Sequence, residues 1–370
     1  WTGEVTASSL TFSDADGTPT LTPQWSFTSK LAAQLSAANG WRTNRRVVTW
    51  SGTAGAQFCS GTTGCSIPIT AAQLAALDPS YVAGNDSANY LAYLRGDQTN
   101  EQGTTGGTKA YRTRTKLVGD IVGSKARPVG PPSFPFSDAA NPGYAAFKTT
   151  WANRPTVVYV GANDGMMHAI RGDLTGANAG QEMFAYVPAA LFQGPSGTPN
   201  ADGLASLGNP SFAHHYLVNA TPNVYDVDFG RTPDASGNKR AATPDWRSIL
   251  IGGLGKGGRS YYAIDVTDPV GMVNGGEATI AGKVLWEFTD TDLGYSFGDP
   301  IVVKTAKYGW VVIIPSGYNP ADGQGHLLII NPRTGALLEK VATGVGAPAN
   351  NAGLAAANAF VVDATDGTAD

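Results

Sequence analysis

Charge is scarce in this chain, and it is not gathered anywhere. Only 15% of the 370 residues are Asp, Glu, Lys or Arg, the formal net charge is −4, and no run of Lys or Arg occurs. Binding along a nucleic-acid backbone or an anionic membrane surface needs a track of cations, so neither is expected as a partner. Long hydrophobic runs are missing as well. The longest is WVVII, from Trp310 to Ile314, far short of the roughly 20 residues that cross a bilayer, so no membrane span is expected. The chain opens on Trp1 without an initiator Met or a signal peptide and stops in an Asp-rich stretch at Asp370, which reads as an internal piece of a longer protein.

Chemistry-bearing residues are equally sparse. There are four histidines and two cysteines, and no HExxH, CxxC or nucleophile–base pattern can be assembled from them. His168 is expected on a strand as a packed or hydrogen-bonded residue, and His326 just before one. His214 and His215 are adjacent and would point to opposite faces of a strand, so they would not chelate one ion together. Cys59 and Cys65 flank SGTTG, with no histidine close by to complete a zinc set. So short a spacer suits a loop-stapling disulfide, with two free thiols as the alternative; a disulfide favours an oxidising, exported compartment.

What the chain has in excess is glycine, 47 residues, against a usual share of about 7%. With it come 23 prolines and 8 Trp, 14 Tyr and 13 Phe. Disordered chains lack such aromatics, so this is a turn-rich folded protein. Its length allows two or three ordinary domains or one large repetitive β architecture.

Three segments repeat one pattern: apolar strand, glycine turn, apolar strand, second turn, third strand. The first runs from VVYVGANDGMMHAI to QEMFAYVPAALF, the second from SILIGGLGKGGRSYYAIDVTDP to AGKVLWEFTD, and the third from WVVIIPSGYNPADGQGHLLIINP to ALLEKVATG. Such repetition predicts the blades of a propeller. Within the first unit, Asn163, Asp164 and Gly165 fall where a hairpin needs positive φ, which Asn and Gly tolerate, so the stretch reads as a turn. The glycines from Gly252 to Gly258 lack the Ser or Thr a phosphate loop needs after Lys256, and a strand follows them where a helix should start, so they too read as a hairpin.

The first 150 residues differ. SDADGT predicts a hairpin turn, and short helices are expected at SKLAAQLSA, at TAAQLAAL with Thr70 as cap and at SANYLAYLRG with Ser87 as cap. The proline-rich stretch from Lys125 to Pro142 predicts an extended, semi-rigid connection. Residues 1–150 are therefore expected to hold the first blades with helical and loop insertions, and residues 151–370 further blades ending in an Asp-rich loop, all within one propeller domain.

The segments YLRGDQTNE, YRTRTKLVGDIVGS, RPTVVYVGANDGMMHAI, EMFAYVPAALF, HHYLVNATPNVYDVDFG, WRSILIGGLGKGGRSYYAIDVTDP, VLWEFTDTDLGYSFGDP and VVDATDGTAD resemble, in order and over nearly the whole chain, the C-terminal propeller of the PilC/PilY proteins. These are type IV pilus tip-associated adhesins and biogenesis factors. The resemblance implies an all-β fold: a modified, seven-bladed, quinoprotein-like β-propeller with short helical insertions, incomplete in this chain. It implies a non-enzymatic role in pilus biogenesis, retraction control, twitching motility and adhesion. Export to the cell surface and pilus tip would follow, with minor pilins and a host-cell or surface receptor as partners. In two places the sequence departs from the family. The family continues past the final Asp with a strand like YAGD and a further blade, and Asn219 in HHYLVNA stands where Asp is usual.

The family also carries a calcium loop of the type Asp-x-Asp/Asn-x-Asp-x-x-x-Asp, which VVDATDGTAD matches in part. Asp366 and Asp370 keep its four-residue spacing, Thr368 would supply a carbonyl, and Asp363 lies one residue out of register. These four are the expected Ca²⁺ ligands, since a tight turn converges oxygens on a hard cation; a solvated Asp-Gly turn is the alternative. A quinone-dependent dehydrogenase is the competing function, because GKVLWEF resembles the blade motif of those enzymes, but it would need convergent cations, a metal and a catalytic Asp.

Overall fold

A computed structural model describes residues 2–61, 64–107 and 109–360. The chain begins with a hairpin of β1 (Thr6–Phe12) and β2 (Pro19–Ser26). Its turn is the expected SDADGT: Ser13 N–H donates to the Thr18 carbonyl at 3.0 Å, and Gly17 takes φ +70°. The helix Phe27–Leu35 follows, started by Ser26 Oγ accepting from Ser29 N–H. Next come β3 (Val47–Trp50), β4 (Gly55–Gln57) and the helices Ala71–Ala76 and Ser87–Arg95. Thr70 caps the first of these in a capping box with Gln73, as its sequence predicts. The second starts one residue earlier than expected. Asp86 is its N-cap, and Ser87, inside the first turn, bonds Asn85 instead.

Three successive sheets follow, each built on a four-stranded antiparallel meander. The first joins β5 (Arg127–Val129), β6 (Val157–Gly161), β7 (Met167–Arg171) and β8 (Glu182–Val187), and is extended beyond β8 by β3, in parallel, and β4. The second is β9 (Asn223–Asp228), β10 (Trp246–Gly253), β11 (Tyr261–Asp265) and β12 (Val284–Phe288). The third is β13 (Ile301–Thr305), β14 (Gly309–Pro315), β15 (Gln324–Ile330) and β16 (Leu337–Gly346). Each sheet is an up-and-down meander, the form of a propeller blade.

Each blade thus has four strands where the sequence pattern shows three, and the missed strand is always the first. In the first blade an insertion carrying the helix Tyr144–Thr150 separates β5 from β6, which hides the periodicity. The proline stretch is therefore more than a connection. Pro128 sits on the sheet edge, where a missing N–H is tolerated, and Phe134 and Phe136 lie against Tyr144, Trp246 and Trp310. The division expected at residue 150 falls between two strands of one blade.

The blades stack with apolar layers between them. One layer sets Val158, Val160 and Ile170 of the first blade against Phe27, Leu31 and Trp25 of the amino-terminal segment. A second places Val157, Tyr159 and Ala169 on the other face of that blade against Val224, Leu250, Tyr262 and Ile264. A third holds Ile249, Ile251 and Trp286 against Trp310, Val312, Leu328 and Ile330. Burial on both faces explains why strands such as SILIGG are continuously apolar instead of alternating.

Candidate functional site

The hairpin Val157 to Ile170 closes through a three-residue loop. Ala162 N–H donates to the Met166 carbonyl at 2.9 Å, and Gly165 alone takes the left-handed conformation, φ +89°. Asn163 and Asp164 do not need it, which corrects the expectation for Asn163. A Cβ on Gly165 would meet Leu204 Cδ2 at 2.6 Å, so glycine is required twice over.

Beside this turn runs a chain of buried charges. Arg45, just ahead of β3, holds Glu182 of β8 in a two-pronged pair at 2.7 and 3.0 Å. Glu182 Oε1 accepts from His168 Nδ1 at 2.8 Å, and His168 Nε2 faces Asp164 Oδ2 at 3.1 Å. Asp164 also accepts from Gly119 N–H at 2.9 Å and Met166 N–H at 3.1 Å. Burial alone would strip the charge from His168, but Asp164 and Glu182 outweigh it and raise the ring to about 9. Burial works against the Glu182 carboxylate too, and Arg45 and His168 overcome it, bringing it down to about 2. The ring is thus a doubly bonded imidazolium with no nitrogen left for ligation or proton transfer.

The chain continues across blades. Arg45 and Arg95 exchange hydrogen bonds with each other's carbonyls at 2.9 Å. Arg95, buried at the end of its helix, pairs with Glu277 of the helix Gly276–Ala281 at 2.8 Å. Glu277 in turn accepts from Val47 N–H at 2.6 Å. One polar string therefore ties the first hairpin loop, β8, β3, the Ser87–Arg95 helix and the second blade together. The sequence showed Asp164 only as a turn residue and His168 as a packed or hydrogen-bonded strand residue, as it is, and nothing in local spacing signals Arg45 or Glu182 as partners.

The other sites expected from the sequence are distributed as follows. Cys59 and Cys65 form a disulfide with Cα atoms 6.1 Å apart. His214 and His215 lie in an irregular segment, not on a strand; His214 Nε2 bonds Asp120 at 2.7 Å and His215 packs edge-on to Phe212. His326 lies within β15 and bonds Asp322 at 2.8 Å. The glycine loop after β10 contains a short 3₁₀ turn at Gly255–Gly257 and returns into β11, a hairpin as expected. Asp363, Asp366, Thr368 and Asp370 lie outside the described residues.

Among the described residues, Asp292, Asp322 and His326 converge closely enough to share a metal ion. The Lys340 ammonium already bridges Asp290 and Asp292 at 2.5 and 2.6 Å, so this acidic cluster carries its own cation. No helix of the described residues is long and apolar enough to cross a membrane.

Comparisons with known proteins identify relatives of this chain. The sequence pattern of the PilY1 beta-propeller domain matches residues 118–370. The type IV pilus biogenesis factor PilY1 of Pseudomonas aeruginosa strain PAK is 32% identical over 355 residues, covering 92% of this chain and 26% of that protein. A PilY1 homolog of Xylella fastidiosa is 34% identical over 259 residues, 67% of this chain and 18% of that protein. This chain thus spans about a quarter or less of these curated relatives. The crystal structure of the Pseudomonas aeruginosa PilY1 C-terminal domain is 32% identical and covers 66% of this chain and 42% of its own, with a TM-score of 0.45. With three meander blades in its fold and a family match that takes in all three, the chain belongs to the PilY1 beta-propeller domain family.

Proposed function

We propose that this propeller is part of a non-enzymatic, type IV pilus tip-associated protein that supports pilus biogenesis, retraction control, twitching motility and adhesion. The observation that carries the reading is 32% identity to a type IV pilus biogenesis factor across 92% of the chain. The polar interior supports the non-enzymatic part, because the buried cations of the first blade are each held by fixed hydrogen-bond partners. His168 has carboxylates on both ring nitrogens, Arg45 and Arg95 are paired with Glu182 and Glu277, and Arg154 bonds Ser248 and the Gly130 carbonyl. Minor pilins and a host-cell or surface receptor are the partners this role requires, and the cell surface and pilus tip its location.

The test removes the propeller in frame from the full-length protein in its own bacterium. Loss of surface pili under the electron microscope and loss of twitching zones are expected. Normal piliation together with normal twitching would overturn the reading.

Calcium is the second part of the proposal. Its ligands would be Asp363, Asp366, the Thr368 carbonyl and Asp370, supported by the Asp366 to Asp370 spacing within an Asp-Gly turn. Calorimetric titration of the full-length protein should give a dissociation constant between about micromolar and millimolar, and Asp366→Ala should abolish the heat. Equal heats in both proteins would remove calcium from this loop.

A further inference from the structure

A cleft of about 580 Å³ opens where the helix Pro269–Asn274 of the second blade meets β8 of the first. That volume lies in the range of sites for small ligands or short peptides. Its lining includes Arg46, which precedes β3 and is half-buried. The Arg46 backbone is engaged, its carbonyl accepting from Ala185 N–H at 2.9 Å. Its guanidinium has no hydrogen-bond or ion-pair partner among the described residues. This sets it apart from the neighbouring cations: Arg45 is paired with Glu182 and Arg171 with Asp173.

The one carboxylate among the described residues lining the cleft, Glu182, is already shared between Arg45 and His168. Its side chain is fully buried and held by three hydrogen bonds from those two residues, and it makes none to Arg46. Arg46 therefore leaves a local positive charge in a chain whose net charge is −4. A partly desolvated guanidinium is stabilised by an anion, and its planar fork matches a carboxylate with two parallel hydrogen bonds.

The walls narrow the ligand further. One side is aliphatic and thioether surface from Met183, Val270 and Val273, with Val270 36% exposed. The rim carries the carboxamides of Asn178 and Asn274, both exposed and able to donate to and accept from peptide groups. No aromatic ring lines the cleft among the described residues, so it has no stacking platform, and the apolar wall suits aliphatic side chains.

The geometry points to a binding site for a peptide segment that presents a carboxylate to Arg46 and an aliphatic side chain to Val270 and Val273. The carboxylate can be a chain terminus or an acidic side chain, and the experiment separates the two. Three probes are titrated into the full chain and followed by NMR: acetyl-Gly-Val-Leu with a free carboxylate, the same peptide as its C-terminal amide, and acetyl-Gly-Glu-Leu amide.

At least one carboxylate-bearing probe should bind ten-fold or more tightly than the uncharged amide, and whichever does identifies the source. Binding should weaken as NaCl is raised. Arg46→Ala should lower affinity to the level of the amide, whereas Arg46→Lys should retain part of it, keeping the charge but losing the fork. Val270→Asp, on exposed surface, should repel the carboxylate and abolish binding while the amide-proton spectrum remains native. Equal affinity for all three probes, no binding of any, or undiminished affinity in a natively folded Arg46→Ala would each overturn the site.

Discussion

His168 is the residue on which pH acts most directly. In the unfolded chain its ring titrates near 6.5, and in the folded chain it is raised to about 9. Folding therefore stabilises the protonated form. That contribution is complete below about pH 6.5 and is lost as pH rises through 9. The expected outcome is imidazolium-type ring signals for His168 in NMR spectra throughout the neutral range, and a melting temperature that falls between pH 7 and 10. In His168→Gln that alkaline fall should be shallower; an equal fall in both proteins would assign it to other groups. Glu182 has the opposite sign. Held at about 2 against an ordinary 4.5, it adds stability above pH 4.5 that disappears as pH drops toward 2. Glu182→Gln leaves Arg45 buried without its counter-charge and should cost about 3–5 kcal/mol in denaturant melts. Asp164→Asn, which a turn alone would tolerate, should cost roughly 1–3 kcal/mol, because it removes a charged hydrogen-bond partner of a buried imidazolium.

The hairpin and the disulfide loop are the elements whose behaviour follows from local geometry. Gly165→Val forces a β-branched residue into positive φ and into Leu204 Cδ2. A loss of more than about 1 kcal/mol is expected from the φ strain alone. Gly17 also has positive φ, +70°, but meets nothing within 4 Å, so Gly17→Ala should be the milder change in the same melting assay. The Cys59–Cys65 link holds the loop in which Gln57 Oε1 accepts from Ser66 and Ile67 N–H. Exchange of both cysteines for serine should cost about 2–4 kcal/mol and speed amide exchange at residues 57–67 without changing the blades. Unchanged exchange there would mean that the Gln57 contacts hold the loop by themselves.

At the level of the molecule, the apolar layers are unequal. The first and second blades are covered on both faces, whereas among the described residues the face of the third turned away from the second is covered only in part, with Val311 buried there. That face sets Ile301, Ile313 and Ile329 in one row and Leu327 beside Val341 in another, half-buried or, for Val341, 40% exposed. A contiguous apolar surface of this kind binds hydrophobic dyes and promotes association. Leu327→Lys with Val341→Lys should lower dye fluorescence and self-association while leaving the melting temperature within a few degrees. A large drop in melting temperature would show that this face is packed in solution.

The sequence by itself determined three strands of each blade, the hairpin turns and the family. Glycine placement, apolar runs and caps such as Thr70 are local signals, and hairpins and short helices form from residues close in the chain. The Cys59–Cys65 link, spanning six positions, was legible for the same reason. Tertiary structure decided the rest. The first strand of each blade joins its partners across insertions or depends on a neighbouring blade for burial, so no local period announces it. The charge string brings Arg45, Asp164, His168, Glu182, Arg95 and Glu277 together from five separate segments, and each alone looks like an ordinary polar residue. Whether an arginine is paired, as Arg45 is, or left facing a cleft, as Arg46 is, depends on which way two adjacent side chains point once β3 pairs in parallel with β8, and only the folded chain sets that direction.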